Sequence, residues 1–421
     1  MRVLVLGSGA KDHAMTWWLS KSCFISGLFV ARGNYCTPDI AEKLENVDPS
    51  DGESVYKACV EHEIDLVFVG TEAPLLTGVI EYLNARGIKT FGAPSKSIKL
   101  EDDKAFSRSF TDRHNIPTPR RSLFADIEHM ARYLERHKGR DFIVKSNNIS
   151  PSRETLSSND TDKLLEYAER LLQKGPVFLE EYVPGLPITA TILLDNKNYL
   201  PLPIVSEYTR RKEGDDVPTG GMGAICPVPI HEDIAEAIKE KIIDPTLYGM
   251  KVEQLSYRGV LTFSIIIKDD REPILVDYHV RFNDPAAQAF VPLIENDMLE
   301  ILIAMNNDEL DKVELKTSDD FTVAVVLASE GYPMDSITGR EVEGLTHIRR
   351  LGIDKLPLIF CGAVDSDASG RPVTTGGRAV TVVGKAKSIQ QANKKAYHTM
   401  AGIHLEGGWF RNDIGNRFFQ S

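Results

Sequence analysis

A glycine-rich segment and one arginine carry the clearest chemical signal in this chain. Residues 218–224 place three glycines in four positions, and glycine lets backbone amides approach an anion that a Cβ atom would keep away. Arg281 directly follows a strand-like run, and its planar guanidinium suits a carboxylate or a phosphate. Each feature alone has a plain structural explanation. Together they indicate a site for phosphorylated or carboxylated small molecules.

The N-terminal segment offers a second anion site. Gly7 and Gly9 follow an apolar run and precede a helical segment, so the first amides of that helix could bind a phosphate. Lys11 and His13 lie beside them in the sequence. A nicotinamide-type motif would need a further glycine where the chain has Asp12, which excludes that class of site. A simple tight turn is the alternative.

Charged residues at predicted strand ends suggest a nucleotide site. Lys145 ends a buried-looking strand and, with Lys104, is a candidate contact to nucleotide phosphates. Glu72 lies just past another strand end, where a carboxylate can bind ribose hydroxyls or an amine. The segment Glu180-Glu181-Tyr182-Val183 could pair with adenine through its backbone while an acid binds the ribose. Taken singly, these residues are equally explained as surface lysines, a capping acid and an ordinary strand end.

Composition excludes several functional classes. The 421 residues suffice for two to four domains, and the net charge of −12 argues against nucleic acid or an anionic membrane as partner. No apolar run is long enough to span a bilayer. The five cysteines are scattered without metal-ligand spacing, which predicts reduced thiols in a cytoplasmic protein.

The elements that must position these residues are predicted to form an α/β protein. Residues 1–100 alternate buried strands with helices, which is typical of a parallel sheet whose functional edge lies at the carboxyl ends of its strands. The predicted strands are Val3–Leu6, Leu28–Ala31, Leu66–Val69 and Thr90–Gly92, and the predicted helices are His13–Ser20 and Leu75–Arg86.

The remainder of the chain is predicted to form three more parts. They are a larger piece (101–119 and 188–327), a small α+β piece (120–187) and a C-terminal piece (328–421). Predicted strands are Phe142–Lys145, Val177–Glu181, Ala190–Leu194, Val260–Lys268, Pro273–Val280, Val323–Ala328 and Arg378–Val383, and predicted helices are Glu101–His114, Thr161–Lys174 (capped by Asp160) and Ser388–Gly402.

These motifs together resemble the glycinamide ribonucleotide synthetase (phosphoribosylamine–glycine ligase) family of ATP-grasp enzymes, over essentially the whole chain. The resemblance implies an N-terminal doubly wound parallel-sheet domain, large and small (lid) ATP-grasp subdomains and a small C-terminal α+β domain. The segments that carry it are Gly7–Ala14, Arg32–Asn34, Gly70–Leu75, Asp103–Phe106, Thr219–Ala224, Arg281–Pro285, Thr375–Arg378 and Asp413–Gly415.

The resemblance implies an ATP-dependent carbon–nitrogen ligase of de novo purine biosynthesis. The carboxylate of glycine would be activated as an acyl phosphate with ATP and Mg²⁺, and the amine of phosphoribosylamine would then displace phosphate. The implied partners are therefore a phosphorylated amine and an amino-acid carboxylate, with no nucleic acid or membrane. The chain would be a monomer or a homodimer.

The resemblance also assigns residues to roles. Arg281, Gly221 and Gly223 would be catalytic. The substrate-binding residues would be Gly9, Lys11, Asp12, Asn34, Glu72, Thr219 and Asp284. The ATP-binding residues would be Lys104, Lys145, Glu180, Glu181, Tyr182 and Val183, and the metal ligands would be Asp277 and His279.

The departures from the family concentrate on ATP and metal. In place of the family's glycine-rich loop, residues 146–155 contain no glycine and include Pro151, so Asn147, Asn148 and Arg153 would have to rebuild the phosphate site. The acids that follow the adenine segment in the family are replaced by residues 184–187, Pro-Gly-Leu-Pro.

The metal-binding strand is altered as well. His279 replaces an amide oxygen with an imidazole, which favours Mn²⁺ or Zn²⁺ over Mg²⁺, and Asp277 keeps a shorter carboxylate. Two alternatives therefore stand beside the ligase: a non-catalytic paralogue that keeps the fold as a binding protein, and a ligase repurposed to another amine and carboxylate pair.

Overall fold

Five parallel strands form the N-terminal sheet of the computed structural model, which describes residues 1–146, 155–213, 217–350 and 358–419. The four predicted strands are present within one residue of their predicted bounds. A fifth was not predicted, because its three residues contain no apolar run. Across the sheet the strands are Glu42–Leu44, Gly27–Arg32, Arg2–Gly7, Leu66–Val69 and Lys89–Phe91.

Helices cover both faces of this sheet, which confirms the doubly wound prediction. Leu4 and Leu6 pack in one hydrophobic cluster, whereas Val3 and Val5 pack in another on the opposite face. The predicted helix 75–86 is divided in two because Gly78 has a left-handed φ of 75°. The helices here are Ala10–Ser20, Gly52–Glu61, Glu72–Leu76 and Val79–Asn84, with a 3₁₀ turn at Thr37–Asp39.

A four-stranded antiparallel sheet forms the centre of the ATP-grasp region. Its strand Leu186–Leu194 begins earlier than predicted, and Pro187 is tolerated there because that end of the strand pairs on one side only. The predicted helix 101–114 is interrupted at Asp103, which caps its second part by accepting from Phe106 N. In order across the sheet the strands are Tyr199–Pro201, Leu186–Leu194, Gly259–Ile267 and Pro273–His279. The surrounding helices are Lys99–Asp102, Lys104–Arg113, Glu232–Ile238, Asp244–Val252, Ala286–Phe290 and Met298–Asn306, with a π turn at Lys239–Ile243 and 3₁₀ turns at Val291–Leu293 and Leu310–Lys312.

A smaller four-stranded sheet with two helices has its own hydrophobic cluster. Asp160 caps one of these helices as predicted, accepting from Asp162 N and Lys163 N. The segment 147–154, on which the predictions for Asn147, Asn148, Pro151 and Arg153 fall, lies outside the described residues. The strands across the sheet are Arg121–Phe124, Val177–Glu181, Phe142–Ser146 and Thr155–Ser158, and the helices are Ile127–Arg136 and Thr161–Leu172.

The C-terminal sheet shares strands with the middle of the chain. Gly223–Cys226, which continues the glycine-rich segment, pairs with Phe321–Ala328, and that strand pairs with Arg378–Ala386. The domain boundaries given above remain proposals. In order across the C-terminal sheet the strands are Ser206–Glu207, Gly223–Cys226, Phe321–Ala328, Arg378–Ala386 and Leu358–Cys361. Two further pairs of short strands are Val342–Glu343 with His404–Leu405 and Val364–Ser366 with Pro372–Thr374. The helices are Leu345–Arg350 and Ile389–Met400, with a 3₁₀ turn at Asn416–Phe418.

One disulfide corrects the prediction that all five thiols are reduced. Cys36 is bonded to Cys361, with a Cα–Cα distance of 5.9 Å. The partners are far apart in the sequence, but Tyr35 N donates to Val364 O at 2.9 Å and so brings the two segments together. Within the described ranges no helix is both long and apolar enough to cross a membrane.

Candidate functional site

A cavity of about 430 Å³ lies where three parts of the fold meet. The carboxyl ends of the N-terminal parallel strands form one wall, the strands Gly259–Ile267 and Pro273–His279 form a second, and the start of strand Arg378–Ala386 forms a third. The charged side chains in its lining are Lys11, Asp12, Arg32, Glu72, Glu207, His279, Arg281, Asp284 and Arg378.

Arg281 joins two carboxylates in this cavity. Its Nη2 lies 2.5 Å from Glu72 Oε1 and 2.8 Å from Glu101 Oε1. Burial alone would raise the pKa of the Glu72 carboxyl, but Lys11 and Arg281 lower that pKa to about 2. Burial likewise opposes ionisation of Glu101, yet Arg281 and His279 hold its pKa well below the ordinary value. The arginine is therefore a fixed, neutralised centre with two ionised partners.

Asp12 lies beside this centre at the start of helix Ala10–Ser20. Its Oδ2 accepts from Gly9 N at 3.0 Å, whereas its buried Oδ1 has no partner among the described residues. Burial raises the pKa of Asp12 to about 6, and Lys11 only partly offsets that rise. Asp12 therefore changes charge close to neutral pH.

The glycine-rich segment does not present its amides to the cavity as predicted. Gly220 N donates to Tyr332 Oη at 2.7 Å, and Gly221 N donates to Thr219 Oγ1 at 3.2 Å. These two amides are used within the protein, and the role of the segment in binding an anion stays a prediction.

The glycines of this segment serve close packing instead. A Cβ at Gly221, whose φ is 115°, would lie 2.6 Å from Asp284 O. A Cβ at Gly223 would lie 2.4 Å from Ile414 Cδ1. Neither residue is among those that line the cavity, and the catalytic role of these two glycines stays a prediction.

A second cavity of about 380 Å³ adjoins the first. Thr219, predicted to bind substrate, lines it together with Asp284 and Arg378, which also line the first cavity. Arg378 Nη1 donates to Asp284 Oδ1 at 3.0 Å. Sequence reasoning missed Arg378 as a site residue, although the T-G-G-R match that contains it was the available signal.

Asn34, predicted to bind substrate, is used within the protein. Its Nδ2 donates to Ser8 O at 3.0 Å and to Cys361 O at 2.8 Å, and its Oδ1 accepts from Cys36 N at 3.0 Å. The side chain is buried and does not line the cavity. In this structure Asn34 fastens the N-terminal turn to the C-terminal sheet, and its role in substrate binding stays a prediction.

A second cluster of charges lies beside the cavity, at the predicted ATP site. Lys145 Nζ lies 2.6 Å from Glu180 Oε2, and Lys104 Nζ lies 2.8 Å from Asp277 Oδ1. Arg108, which sequence reasoning missed, contacts Glu180 at 2.9 Å and Asp277 at 3.3 Å. Three cations thus face two carboxylates, and the buried Nη1 of Arg108 has no partner among the described residues. This cluster fits a polyphosphate anion.

The predicted adenine segment is only partly available. Glu180 is buried between Lys145 and Arg108, so it orients these cations and does not face a ribose. Glu181 N donates to Arg120 O and Tyr182 N to Asp141 O, both at 2.9 Å. The amide of Val183 has no hydrogen-bond partner in the described parts of the chain, and it remains available to an adenine.

The residues predicted to bind a metal do not fit a divalent cation as they stand. Asp277 faces three cations: burial opposes its ionisation, but Lys104, Lys145 and Arg108 hold its pKa well below the ordinary value. His279 is turned away, with Nδ1 3.2 Å from Glu101 Oε1 and Nε2 3.0 Å from Ser264 Oγ. Among the described residues no three metal-binding side chains come together. We therefore assign no chemistry to a protein-held metal.

Three family models match this chain. The N domain of phosphoribosylglycinamide synthetase matches residues 1–101, its ATP-grasp (A) domain matches residues 102–287, and its C domain matches residues 322–417.

Proteins of known identity are similar over nearly the whole chain. The phosphoribosylamine–glycine ligase of Pasteurella multocida is 31% identical over 429 residues, which cover 99% of this chain and 98% of that protein. The trifunctional purine biosynthetic protein adenosine-3 of Gallus gallus is 32% identical over 428 residues, covering 99% of this chain. The chain spans only 42% of the length of that trifunctional protein.

Two solved structures have folds similar to that of this chain. Phosphoribosylamine–glycine ligase from Thermotoga maritima has a TM-score of 0.81 and 27% identity, with coverage of 98% of this chain and 100% of that one. The biotin carboxylase domain of 2-oxoglutarate carboxylase from Hydrogenobacter thermophilus has a TM-score of 0.71 at 14% identity, covering 97% of this chain and 91% of that one. The second likeness shows a shared fold alone.

Proposed function

Because this chain belongs to the phosphoribosylglycinamide synthetase family, we propose that it is an ATP-dependent ligase that joins an amino-acid carboxylate to a phosphorylated amine. The relatives that it matches over 98% of their length are named phosphoribosylamine–glycine ligases. The substrates that we propose are glycine and phosphoribosylamine, with ATP as the phosphoryl donor, in purine biosynthesis.

The observation that carries this proposal is the proximity of the phosphate-binding cluster and the substrate cavity. Asp277 belongs to the cluster, and Arg281, four residues later, belongs to the cavity. A chain of four residues spans at most about 14 Å. A triphosphate bound at Lys104, Arg108 and Lys145 could therefore bring its terminal phosphate to a carboxylate in the cavity.

The residues of the site would act by orienting the substrates and by stabilising their charges. ATP would supply a phosphoryl group to the carboxylate, and the amine would then attack the carbonyl carbon and release phosphate. Arg281, held by Glu72 and Glu101, would keep a rigid guanidinium with fixed hydrogen-bond donors at the reacting groups. Lys11, 3.7 Å from Glu72, would place a further cation near the phosphate of the amine. The buried walls would exclude bulk water from the acyl phosphate.

The test is formation of ADP by the purified protein with ATP and each combination of glycine and phosphoribosylamine. We expect ADP to form only when both are present, with the ligated product identified by mass spectrometry. If ADP forms only when glycine is replaced by another carboxylate, or phosphoribosylamine by another amine, the protein is a repurposed ligase. No ADP with any pair, although ATP still stabilises the fold, would identify a non-catalytic paralogue and contradict the proposal.

A further inference from the structure

Arg378 connects the C-terminal domain to the two loops of the substrate cavity. Its Nη1 donates to the carbonyl oxygens of Gly220 at 2.8 Å and Gly221 at 3.2 Å. The same nitrogen donates to Asp284 O at 2.9 Å and to Asp284 Oδ1 at 3.0 Å. One end of the guanidinium is therefore fixed by four oxygens from two loops.

The other end of the guanidinium faces the cavities. Within the described residues Nε and Nη2 have no acceptor, and the side chain lines both cavities with 25% of its surface exposed. A Cβ at Gly220 would lie 3.0 Å from Nη2, so glycine at that position keeps the approach to this nitrogen open. Nε and Nη2 together form the fork that matches the two oxygens of a carboxylate.

The charge balance distinguishes Arg378 from the other cavity arginine. Arg281 is paired with two carboxylates, Glu72 and Glu101, whereas among the residues that the structure describes Arg378 is paired only with Asp284. Arg281 therefore has little charge to offer an incoming anion. Arg378 retains two unused donors, and one paired carboxylate offsets its charge where two offset that of Arg281.

The adjoining cavity limits what can bind there. Four of its lining residues, Gly220, Gly362, Ala363 and Gly377, have no side chain or only a methyl group, and the carboxylates of its lining are those of Glu72 and Asp284. A Cβ at Gly377 would lie 2.2 Å from Tyr332, which shows how closely these walls pack. The volume of about 380 Å³ admits a small amino acid with its carboxylate toward Arg378.

We propose that Arg378 binds the carboxylate of the amino-acid substrate through Nε and Nη2, while Nη1 holds the two loops around it. The inference rests on the proposed ligase function and adds to it the residue that recognises the carboxylate. It also gives the C-terminal domain a direct part in substrate binding.

The test compares Arg378→Lys with Arg371→Lys in the full chain. Lysine keeps the positive charge but loses the fork. Arg371 is an exposed arginine of the same domain, paired with Asp367 and Glu341, and serves as the matched control. KM is measured for glycine and for ATP, and the dissociation constants of glycine, glycinamide and inorganic phosphate are measured by ligand-observed NMR.

We expect Arg378→Lys to raise both the KM and the dissociation constant of glycine by about 10- to 100-fold. In Arg378→Lys the affinity for glycinamide, which lacks the carboxylate, and the KM for ATP should not change. In the control Arg371→Lys the KM values and dissociation constants should all match those of the wild type. This dependence on the ligand's carboxylate is a readout that a purely structural role would not move.

Several results would overturn the inference. One is an equal loss of glycine and glycinamide affinity, and another is a loss confined to inorganic phosphate. Tyr332→Phe removes the hydroxyl that accepts from Gly220 N and so loosens the same loop. If it raises the glycine KM as much as Arg378→Lys does, Arg378 only holds the loops and does not bind the carboxylate. Glycine binding that depends on Arg378 without any ADP formation would support the inference while contradicting the proposed ligase.

Discussion

The carboxylate of Asp12 occupies the space that a side chain at Gly70 would need. A Cβ at Gly70 would lie 2.3 Å from Asp12 Oδ1, and a Cβ at Gly7 would lie 2.3 Å from Oδ2. Gly7 ends one strand of the N-terminal sheet, and Gly70 directly follows the neighbouring parallel strand Leu66–Val69. The acid is therefore enclosed by bare backbone, which accounts for its burial and its raised pKa.

We expect this burial to make the stability of the protein depend on pH. Burial raises the pKa of Asp12 from 3.8 to about 6, so the folded state binds this proton more tightly than the unfolded state. The stability that the protonated acid contributes is present below about pH 4 and is lost as the pH rises to about 6, by at most about 3 kcal/mol. Asp12→Asn does not titrate, so its stability relative to the wild type should increase over the same interval.

Urea unfolding at about pH 4 and about pH 7 measures this effect. The control is Asp269→Asn, because Asp269 is exposed. A stability difference between Asp12→Asn and the wild type that stays constant with pH would show that Asp12 is not held protonated by the fold.

Arg281→Lys should reduce turnover while leaving the protein folded. Lysine keeps one charge between Glu72 and Glu101 but cannot keep both contacts in the same geometry, and we expect a loss of about 100-fold or more in kcat. Arg32→Lys is the control, because Arg32 lines the same cavity with 61% of its side chain exposed. Steady-state kinetics and circular dichroism separate loss of activity from loss of fold. Near-wild-type activity of Arg281→Lys would remove this residue from the reaction.

Lys145→Met should weaken ATP binding. The lysine lies 2.6 Å from Glu180 in the cluster that we assign to the phosphates, and methionine fills the space without the charge. ATP at about a hundred times its dissociation constant should stabilise the wild type by about 2.7 kcal/mol, and this gain should fall sharply in the variant. Lys163→Met, at an exposed lysine of the same lid, should retain it. Thermal unfolding with and without ATP tests the difference, and an equal gain in all three proteins would place ATP elsewhere.

The bond between Cys36 and Cys361 should be detectable by labelling. When the oxidised protein is unfolded in urea, a thiol reagent should modify Cys23, Cys59 and Cys226, but neither Cys36 nor Cys361 until a reductant is added. Loss of this long cross-link, by reduction or in Cys36→Ser, should lower the free energy of unfolding by about 2–5 kcal/mol. Mass spectrometry of labelled peptides and urea unfolding measure both effects. Stability of Cys36→Ser that matches the oxidised wild type would contradict the prediction.

Local sequence patterns predicted the sheet that carries the cavity. The N-terminal strands were found because buried parallel strands are continuous apolar runs, as in residues 3–6. The cap at Asp160 was found because aspartate there precedes an amphipathic run. Glu42–Leu44 was missed, since pairing with a neighbouring strand and not its own residues makes it a strand.

The charge pairs of the site could not be predicted in the same way. Glu101 meets Arg281, and Arg108 meets Glu180, across large sequence separations that the folded chain alone sets. The glycine-rich segment was predicted to bind an anion because glycine lets backbone amides approach one closely. In the structure the amide of Gly220 donates to Tyr332 and its carbonyl accepts from Arg378, and both partners come from a distant part of the chain.

The pairing of Gly223–Cys226 with Phe321–Ala328 has a consequence for how this protein can be divided. A shortened version that ends before residue 321 would leave the Gly223–Cys226 strand with an open edge and would remove the arginine that holds the loop before it. The C-terminal quarter of the chain cannot be removed without affecting the substrate cavity.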